Sequence, residues 1–309
     1  MALDVRPVIP SRFFGHKSRG AAPSSRIGAY IALMKLRVVE LLLVTTVPTM
    51  VLAEGGWPSI QLMAITLIGG TLAAGGANAI NMYIDRDIDK LMVRTQNRPL
   101  VTGALTPRAA MIFAIALEIV AFLVLWAGAN LLAAVLAVSA TLFYVFVYSL
   151  WLKRTSKQNI VIGGAAGAMP VLVGWAAVTN SLGWAPVVLF VVIFLWTPPH
   201  FWALAIRHAD DYKAAGVPMM PVVVSLERTI RSMTTYAVLL TLSTLVLVPV
   251  ADLGWVYGIT AVVFGVAFVI GSVRLGSDPS PKRSMRLFTF SITYVTAVFV
   301  ALTVDVLLR

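Results

Sequence analysis

Nine windows of mostly apolar residues divide the chain, at roughly 33–53, 59–83, 107–127, 130–152, 159–178, 184–206, 230–251, 255–275 and 285–306. Each is close to the ~20 residues an α-helix needs to cross a bilayer. Turn-forming clusters separate them: Glu54-Gly55-Gly56-Trp57-Pro58, Gly128 to Asn130, Asn180 to Gly183, and Asp278-Pro279-Ser280-Pro281. The pattern predicts an all-α polytopic membrane protein with nine transmembrane helices. Residues 1–30 are basic, rich in Ser, Pro and Gly, and lack the apolar stretch of a secretory signal. They read as a disordered cytoplasmic tail ahead of a single domain over 31–309.

Composition agrees: 59% of residues are hydrophobic and 12% charged, against about 25% charged in soluble domains. The net charge of +11 would suit a nucleic-acid partner, but its distribution argues otherwise. With alternating spans, every Lys and Arg except Arg309 falls on one side of the membrane, as the positive-inside rule requires. That side is expected to be the cytoplasm of a bacterial plasma membrane, with the N-terminus and the longer loops on it. A mitochondrial inner membrane, with these loops in the matrix, fits the same count. There is no cysteine, hence no disulfide framework or thiolate chemistry, and imidazole chemistry is confined to His16, His200 and His208.

The polar residues that interrupt this pattern are concentrated in two places. The second span ends in Asn81-Met82-Tyr83-Ile84-Asp85-Arg86-Asp87-Ile88-Asp89. A carboxylate near hydrocarbon costs at least ~2.5 kcal/mol and persists where a partner or a task compensates it. On a helix Asn81, Asp85 and Asp89 share one stripe about 12 Å long. Such a row of oxygens suits Mg²⁺, which binds through one or two carboxylates plus substrate phosphates. Lys90, Arg94 and Arg98 follow, and guanidinium forks match phosphate oxygens. Metal with guanidinium is the chemistry of a bound diphosphate. The plainer alternative is an interfacial loop whose acids and bases pair, which leaves the four-residue spacing of Asn and two Asp unexplained.

The second place runs from Trp196-Thr197-Pro198-Pro199-His200 through Arg207-His208-Ala209-Asp210-Asp211-Tyr212-Lys213. If one helix continues from Pro199, then His200, Arg207 and Asp211 fall within about 40° of one another on the wheel, and Asp210 points away. Asp211 is then the better candidate for metal or phosphate work, and two acid-bearing helix ends could hold Mg²⁺ with a diphosphate between them. For Arg207, Asp210 and Lys213 ordinary interfacial pairing is the alternative. For His200 it is a hydrogen-bonded interfacial histidine. Lys153 and Arg154 form a third basic group on the same side, either helix anchors or phosphate contacts.

Asn81-x-x-x-Asp85-x-x-x-Asp89 after a span resembles the first motif of the intramembrane aromatic prenyltransferase superfamily. Within it the chain resembles the protohaem IX farnesyltransferases, or haem O synthases, through several strings. These are Arg94-Thr95-Gln96-Asn97-Arg98-Pro99-Leu100, Leu152-Lys153-Arg154-Thr155 with Asn159 to Gly164, Gly174-Trp175-Ala176-Ala177, Trp196 to Leu204, and Asp211-Tyr212-Lys213 to Val223. The resemblance spans about residues 30–306. Position 215 is Ala where the wider superfamily carries a second spaced acid, which speaks against a symmetric two-metal clamp.

The resemblance implies nine helices around a central cavity and transfer of farnesyl from farnesyl diphosphate to a vinyl group of haem b. It implies Mg²⁺ held by Asn81, Asp85, Asp89 and Asp211, with Asp85, Asp89, Asp211 and His200 catalytic. The diphosphate would be held by Asn81, Lys90, Arg94, Arg98, Arg207 and Lys213, with Lys153 and Arg154. His200 would ligate haem or accept a proton, and terminal oxidases or a haem A synthase would be partners. A quinone or chlorophyll precursor as acceptor is the nearest alternative. An ion-coupled transporter is the alternative of another class, disfavoured because the acids lie at helix ends.

Overall fold

The computed structural model describes residues 25–309, except for the side chains of 37–43. The expected tail lies outside the described residues as far as residue 24, and its last residues, 26–30, are corrected to helix, because Ser25 caps α1 and Ala29 is buried. Two helices, α1 (Arg26–Met34) and α2 (Leu36–Glu54), open the described chain. Eight helices long and apolar enough to cross a membrane follow among the described residues. They are α3 (Ile60–Ile84), α4 (Pro107–Gly128), α5 (Leu131–Thr155), α6 (Asn159–Thr179), α7 (Trp184–Arg207), then, after the short α8 (Ala209–Ala214), α9 (Leu226–Val250), α10 (Trp255–Ser277) and α11 (Pro281–Leu307). No strand occurs among the described residues. The protein is an integral membrane helical bundle, and each apolar window finds its helix.

Local chemistry sets the ends. Ser25, Ser59, Thr106, Asn130, Ser225 and Ser280 cap helices by accepting a backbone N–H three residues on. Pro107 and Pro281 occupy first-turn positions where no amide donor is needed. Gly55 (φ 70°) and Asn180 (φ 50°) end α2 and α6 in the left-handed region. Lys35, also left-handed (φ 52°), breaks the chain between α1 and α2.

Successive long helices pack on one another in a ring, which α11 closes by packing against α2; α2 with α6 and α7 with α11 make contacts across it. Between α3 and α4 the approach is made by small residues, Ala73, Ala110, Ala114 and Ala121 being buried. A Cβ on Gly76 would come 2.6 Å from Oε1 of Glu118, so that glycine makes room for the carboxyl. The main apolar core runs through α6, α7, α9, α10 and α11 and includes Trp202, Tyr257, Phe268 and Tyr294.

Two local features depart from the expected helices. Phe143–Leu152, inside α5, winds as a π-helix, an uncommon form that gathers at functional positions. The helix from Pro199 also does not reach Asp211. α7 stops at Arg207, His208 leaves helical geometry (φ −108°, ψ 24°), and α8 starts afresh. The common face drawn for His200, Arg207 and Asp211 on one continuous helix is corrected accordingly: the helix breaks at His208, and Asp211 is held by backbone amides of a distant turn.

Candidate active site

The stripe at the end of α3 survives the end of the helix. Asp85 caps α3, and Asp89 sits in a 3₁₀ turn (Ile88–Lys90), yet the Asp85 N–H donates to the Asn81 carbonyl and the Asp89 N–H to the Asp85 carbonyl, both at 2.9 Å. The helical repeat is thus kept across the break. All three side chains are buried, at 2%, 0% and 1% exposure for Asn81, Asp85 and Asp89.

Their partners arrive from distant parts of the chain. Lys153, at the end of α5, pairs with Asp85 Oδ2. Arg98 Nη1 pairs with Asp89 Oδ2 at 2.6 Å. Lys35 Nζ donates to Asn81 Oδ1 at 2.9 Å, and Asn81 Nδ2 donates to Ser149 Oγ at 3.0 Å. Three cations thus meet two carboxylates, a nest with an excess of positive charge. Burial, and next the charges of Arg98 and Lys153, hold the Lys35 ammonium well below its ordinary pKa. Outside the nest, Arg154 forks onto Asp87 with two bonds of 2.7 Å, and that hydrogen bonding keeps the Asp87 carboxyl below the usual carboxylate range.

The nest is incompletely satisfied. Oδ1 of Asp85 and Oδ1 of Asp89 are buried and have no protein hydrogen-bond partner, and the same holds for both amide atoms of Asn159. A buried acceptor left unmade costs about 1–3 kcal/mol, so groups of this kind mark either strain or a site for a ligand. Two carboxylate oxygens with no partner, next to paired oxygens, fit a hard divalent cation shared with phosphate. Among the described residues, no three of His, Asp and Glu gather closely enough to form an all-protein metal cage.

Asn81 and Asp211 differ from these two acids in that both spend their oxygens inside the protein. Asp211 accepts from the Val93 N–H (3.1 Å) and the Arg94 N–H (3.4 Å), tying α8 to the 3₁₀ turn Val93–Thr95. Arg94 is exposed, its guanidinium 5.8 Å from the centre of the Tyr212 ring. Lys90, Lys213 and Asp210 are exposed, and Arg207 is half-buried at the end of α7.

His200 belongs to a separate constellation between α7 and α11. Its ring is stacked between Trp196 (4.1 Å) and Phe288 (4.5 Å), and Nδ1 lies 2.6 Å from Ser291 Oγ. The Ser291 hydroxyl donates to the Phe288 carbonyl at 2.6 Å, so Nδ1 carries the proton and Nε2 keeps its lone pair. Trp196 Nε1 donates to the Ser291 carbonyl, fixing the same turn of α11.

Sequence alone gives Lys35 as one more basic residue near the start of the first apolar window, and gives no role to Ser149 or Ser291. Lys35 carried a usable signal, an ammonium beside an apolar window on the side where the acids lie. The two serines carried none. Tyr144 and Tyr148, stacked at 5.3 Å on the π-helical stretch, border the nest: Tyr144 lies within electrostatic reach of Asp85, Asp89 and Arg98.

Comparison with known proteins points one way. The model of the UbiA prenyltransferase family matches residues 42–296. A protoheme IX farnesyltransferase of Frankia casuarinae is 54% identical over 290 residues, covering 92% of this chain and 99% of that protein. One from a Parafrankia strain is 55% identical over 295 residues, covering 94% of each. Among solved structures, a digeranylgeranylglyceryl phosphate synthase superposes with a TM-score of 0.76 at 18% identity, covering 92% of this chain and 99% of that one. A UbiA homologue from Archaeoglobus fulgidus bound to GPP and Mg²⁺ superposes with a TM-score of 0.62 at 19% identity, covering 89% and 99%. At that identity the structural likeness concerns the fold.

Proposed function

The chain belongs to the UbiA prenyltransferase family, and from that premise we propose that it transfers farnesyl from farnesyl diphosphate to a vinyl group of haem b, giving haem O. The observation that supports this most directly is the buried nest in which Asp85 and Asp89 each keep one oxygen without a partner while Lys35, Lys153 and Arg98 surround them. It offers cations for a diphosphate and carboxylates for the metal that accompanies one. The relatives that are about half identical carry the name of this activity.

The chemistry follows from that arrangement. Breaking the bond between farnesyl C1 and its oxygen leaves the electron pair, and negative charge, on the diphosphate. Lys35, Lys153 and Arg98 stabilise that charge in a low-dielectric setting, where one such preorganised donor is worth about 10² to 10³ in rate. We assign Asp85 and Asp89 as the residues that would hold Mg²⁺, which supplies further neutralisation of the leaving group. Asn81 orients Lys35, and Asp211 fixes the turn bearing Arg94. The π-electrons of the haem vinyl group form the new bond to C1, water adds to the resulting cation, and a proton is lost. His200, with its Nε2 lone pair, is our candidate to meet the haem or take that proton.

In the same reading, residues 31–309 form one catalytic domain, to which the start of α1 (Arg26–Met34) also belongs. The basic loops face the cytoplasm of a bacterial plasma membrane, and haem O passes to a terminal oxidase or a haem A synthase. The test is to incubate the purified protein in detergent with haem b, farnesyl diphosphate and Mg²⁺, with and without chelator, and weigh the haem. A chelator-sensitive gain of a hydroxyethylfarnesyl group supports the whole reading. Diphosphate release with a quinone precursor and none with haem would transfer the acceptor assignment to that class.

A further inference from the structure

Asn159 is fully buried, and neither its side-chain oxygen nor its side-chain nitrogen has a protein hydrogen-bond partner. Although it is the first residue of α6, its side chain makes no hydrogen bond; its backbone N–H donates to the Ser156 carbonyl at 3.2 Å. A buried amide with neither end paired within the protein is rare and calls for a ligand or a strained purpose.

Its position favours a ligand. Gly163, one turn further along α6, shares its face, and a Cβ there would overlap the Tyr148 ring. The face that carries Asn159 is therefore pressed towards Tyr148. Tyr148 stacks on Tyr144 and lies within electrostatic reach of Asp85 and Arg94. The start of α6 also follows the end of α5 through the short connection 156–158, and Lys153 at that end pairs with Asp85.

We propose that the Asn159 amide is a direct contact of the metal-bound diphosphate, which completes the nest of Asp85, Asp89, Lys35, Lys153 and Arg98. This rests on the reading of the protein as a prenyltransferase. An amide unpaired at both ends suits a partner that offers an acceptor and a cation together, as phosphate with a divalent metal does. A haem propionate would engage Nδ2 alone and leave the carbonyl oxygen unmade. An uncharged donor also adds a hydrogen bond without increasing repulsion among the three cations.

The full-length protein in detergent is titrated with inorganic diphosphate plus Mg²⁺ by calorimetry, and KM is measured separately for farnesyl diphosphate and haem b, in wild type, Asn159→Ala and Asn159→Asp. The alanine variant is expected to weaken diphosphate binding ~10-fold or more, the scale of a hydrogen bond to a charged group, with haem KM within about twofold. Asn159→Asp, of equal size, is expected to weaken it further by repulsion of the anionic diphosphate. Unchanged diphosphate affinity in both variants, or a rise confined to haem KM, overturns the assignment. Loss of diphosphate affinity in the variants of a protein that fails to farnesylate haem would uphold this contact and sink the acceptor assignment instead.

Discussion

Lys153 pairs with Asp85, a residue 68 positions earlier, and so ties the end of α5 to the end of α3 at a point where the carboxylate has no exposure at all. Removing one member of a buried pair strands the other, at about 3–5 kcal/mol, while removing both is far milder. Lys153→Met is therefore expected to lower the melting temperature and abolish turnover. The double variant Lys153→Met/Asp85→Asn should regain most of the thermal stability and none of the activity. Thermal melts in detergent beside a turnover assay check both, and a double variant as unstable as the single one would refute the pairing argument.

Lys35 gives a pH signature. Its pKa is lowered in the folded protein by burial and by the neighbouring cations. The charged form therefore costs stability below the folded pKa, and the cost fades as pH rises from there towards the unfolded value of ~10.4. An anionic diphosphate beside it raises the Lys35 pKa again, so binding should take up protons and weaken as pH rises through the free protein's Lys35 pKa. Lys35→Arg, always charged, should bind with a flatter pH profile and less proton uptake. Calorimetry in two buffers of different ionisation enthalpy measures this; equal uptake in both proteins would count against Lys35.

Asp211 can be tested as a tether against a metal ligand. Its oxygens accept from the Val93 and Arg94 amides. Losing such charge-assisted bonds costs about 1.5–3 kcal/mol. Asp211→Ala should raise KM for farnesyl diphosphate and speed proteolysis within 86–98, with Asp211→Asn intermediate. High Mg²⁺ should not rescue either variant, whereas rescue would make Asp211 a ligand.

On the acceptor side, Ser291 fixes the ring that Trp196 and Phe288 sandwich. Ser291→Ala removes the group that sets the tautomer, and is expected to raise KM for haem ~10-fold, the scale of ~1.4 kcal/mol, while leaving KM for farnesyl diphosphate unchanged. Steady-state kinetics with each substrate varied in turn decides it. A shift in both constants would indicate general repacking.

Gly163 and Gly167 lie one turn apart on α6, and only the first faces a close neighbour: a Cβ at 163 overlaps the Tyr148 ring, and nothing lies within 4 Å of one at 167. Gly163→Ala should cost ~1–3 kcal/mol through overpacking and lower turnover by moving Tyr148. Gly167→Ala should behave as wild type in the same melts and assays.

The sequence determined the helices. Apolar windows, Gly and Pro breaks and the one-sided basic residues have local causes, the length needed to cross hydrocarbon and the cost of charge within it, so they can be read without knowing what packs on what. It also determined that Asn81, Asp85 and Asp89 share a face, because the four-residue repeat survives even where α3 ends. The tertiary structure decided which cation answers which side chain of the stripe: Lys153 to Asp85, Arg98 to Asp89, Lys35 to Asn81. Two of these three contacts join residues 46 and 68 positions apart, and no local periodicity encodes a contact of that range. The placing of Asp211 is of the same kind, since it finds its donors on a turn more than a hundred residues away. So is the isolation of Asn159: a side chain is orphaned only by what surrounds it, and its surroundings are the packed bundle.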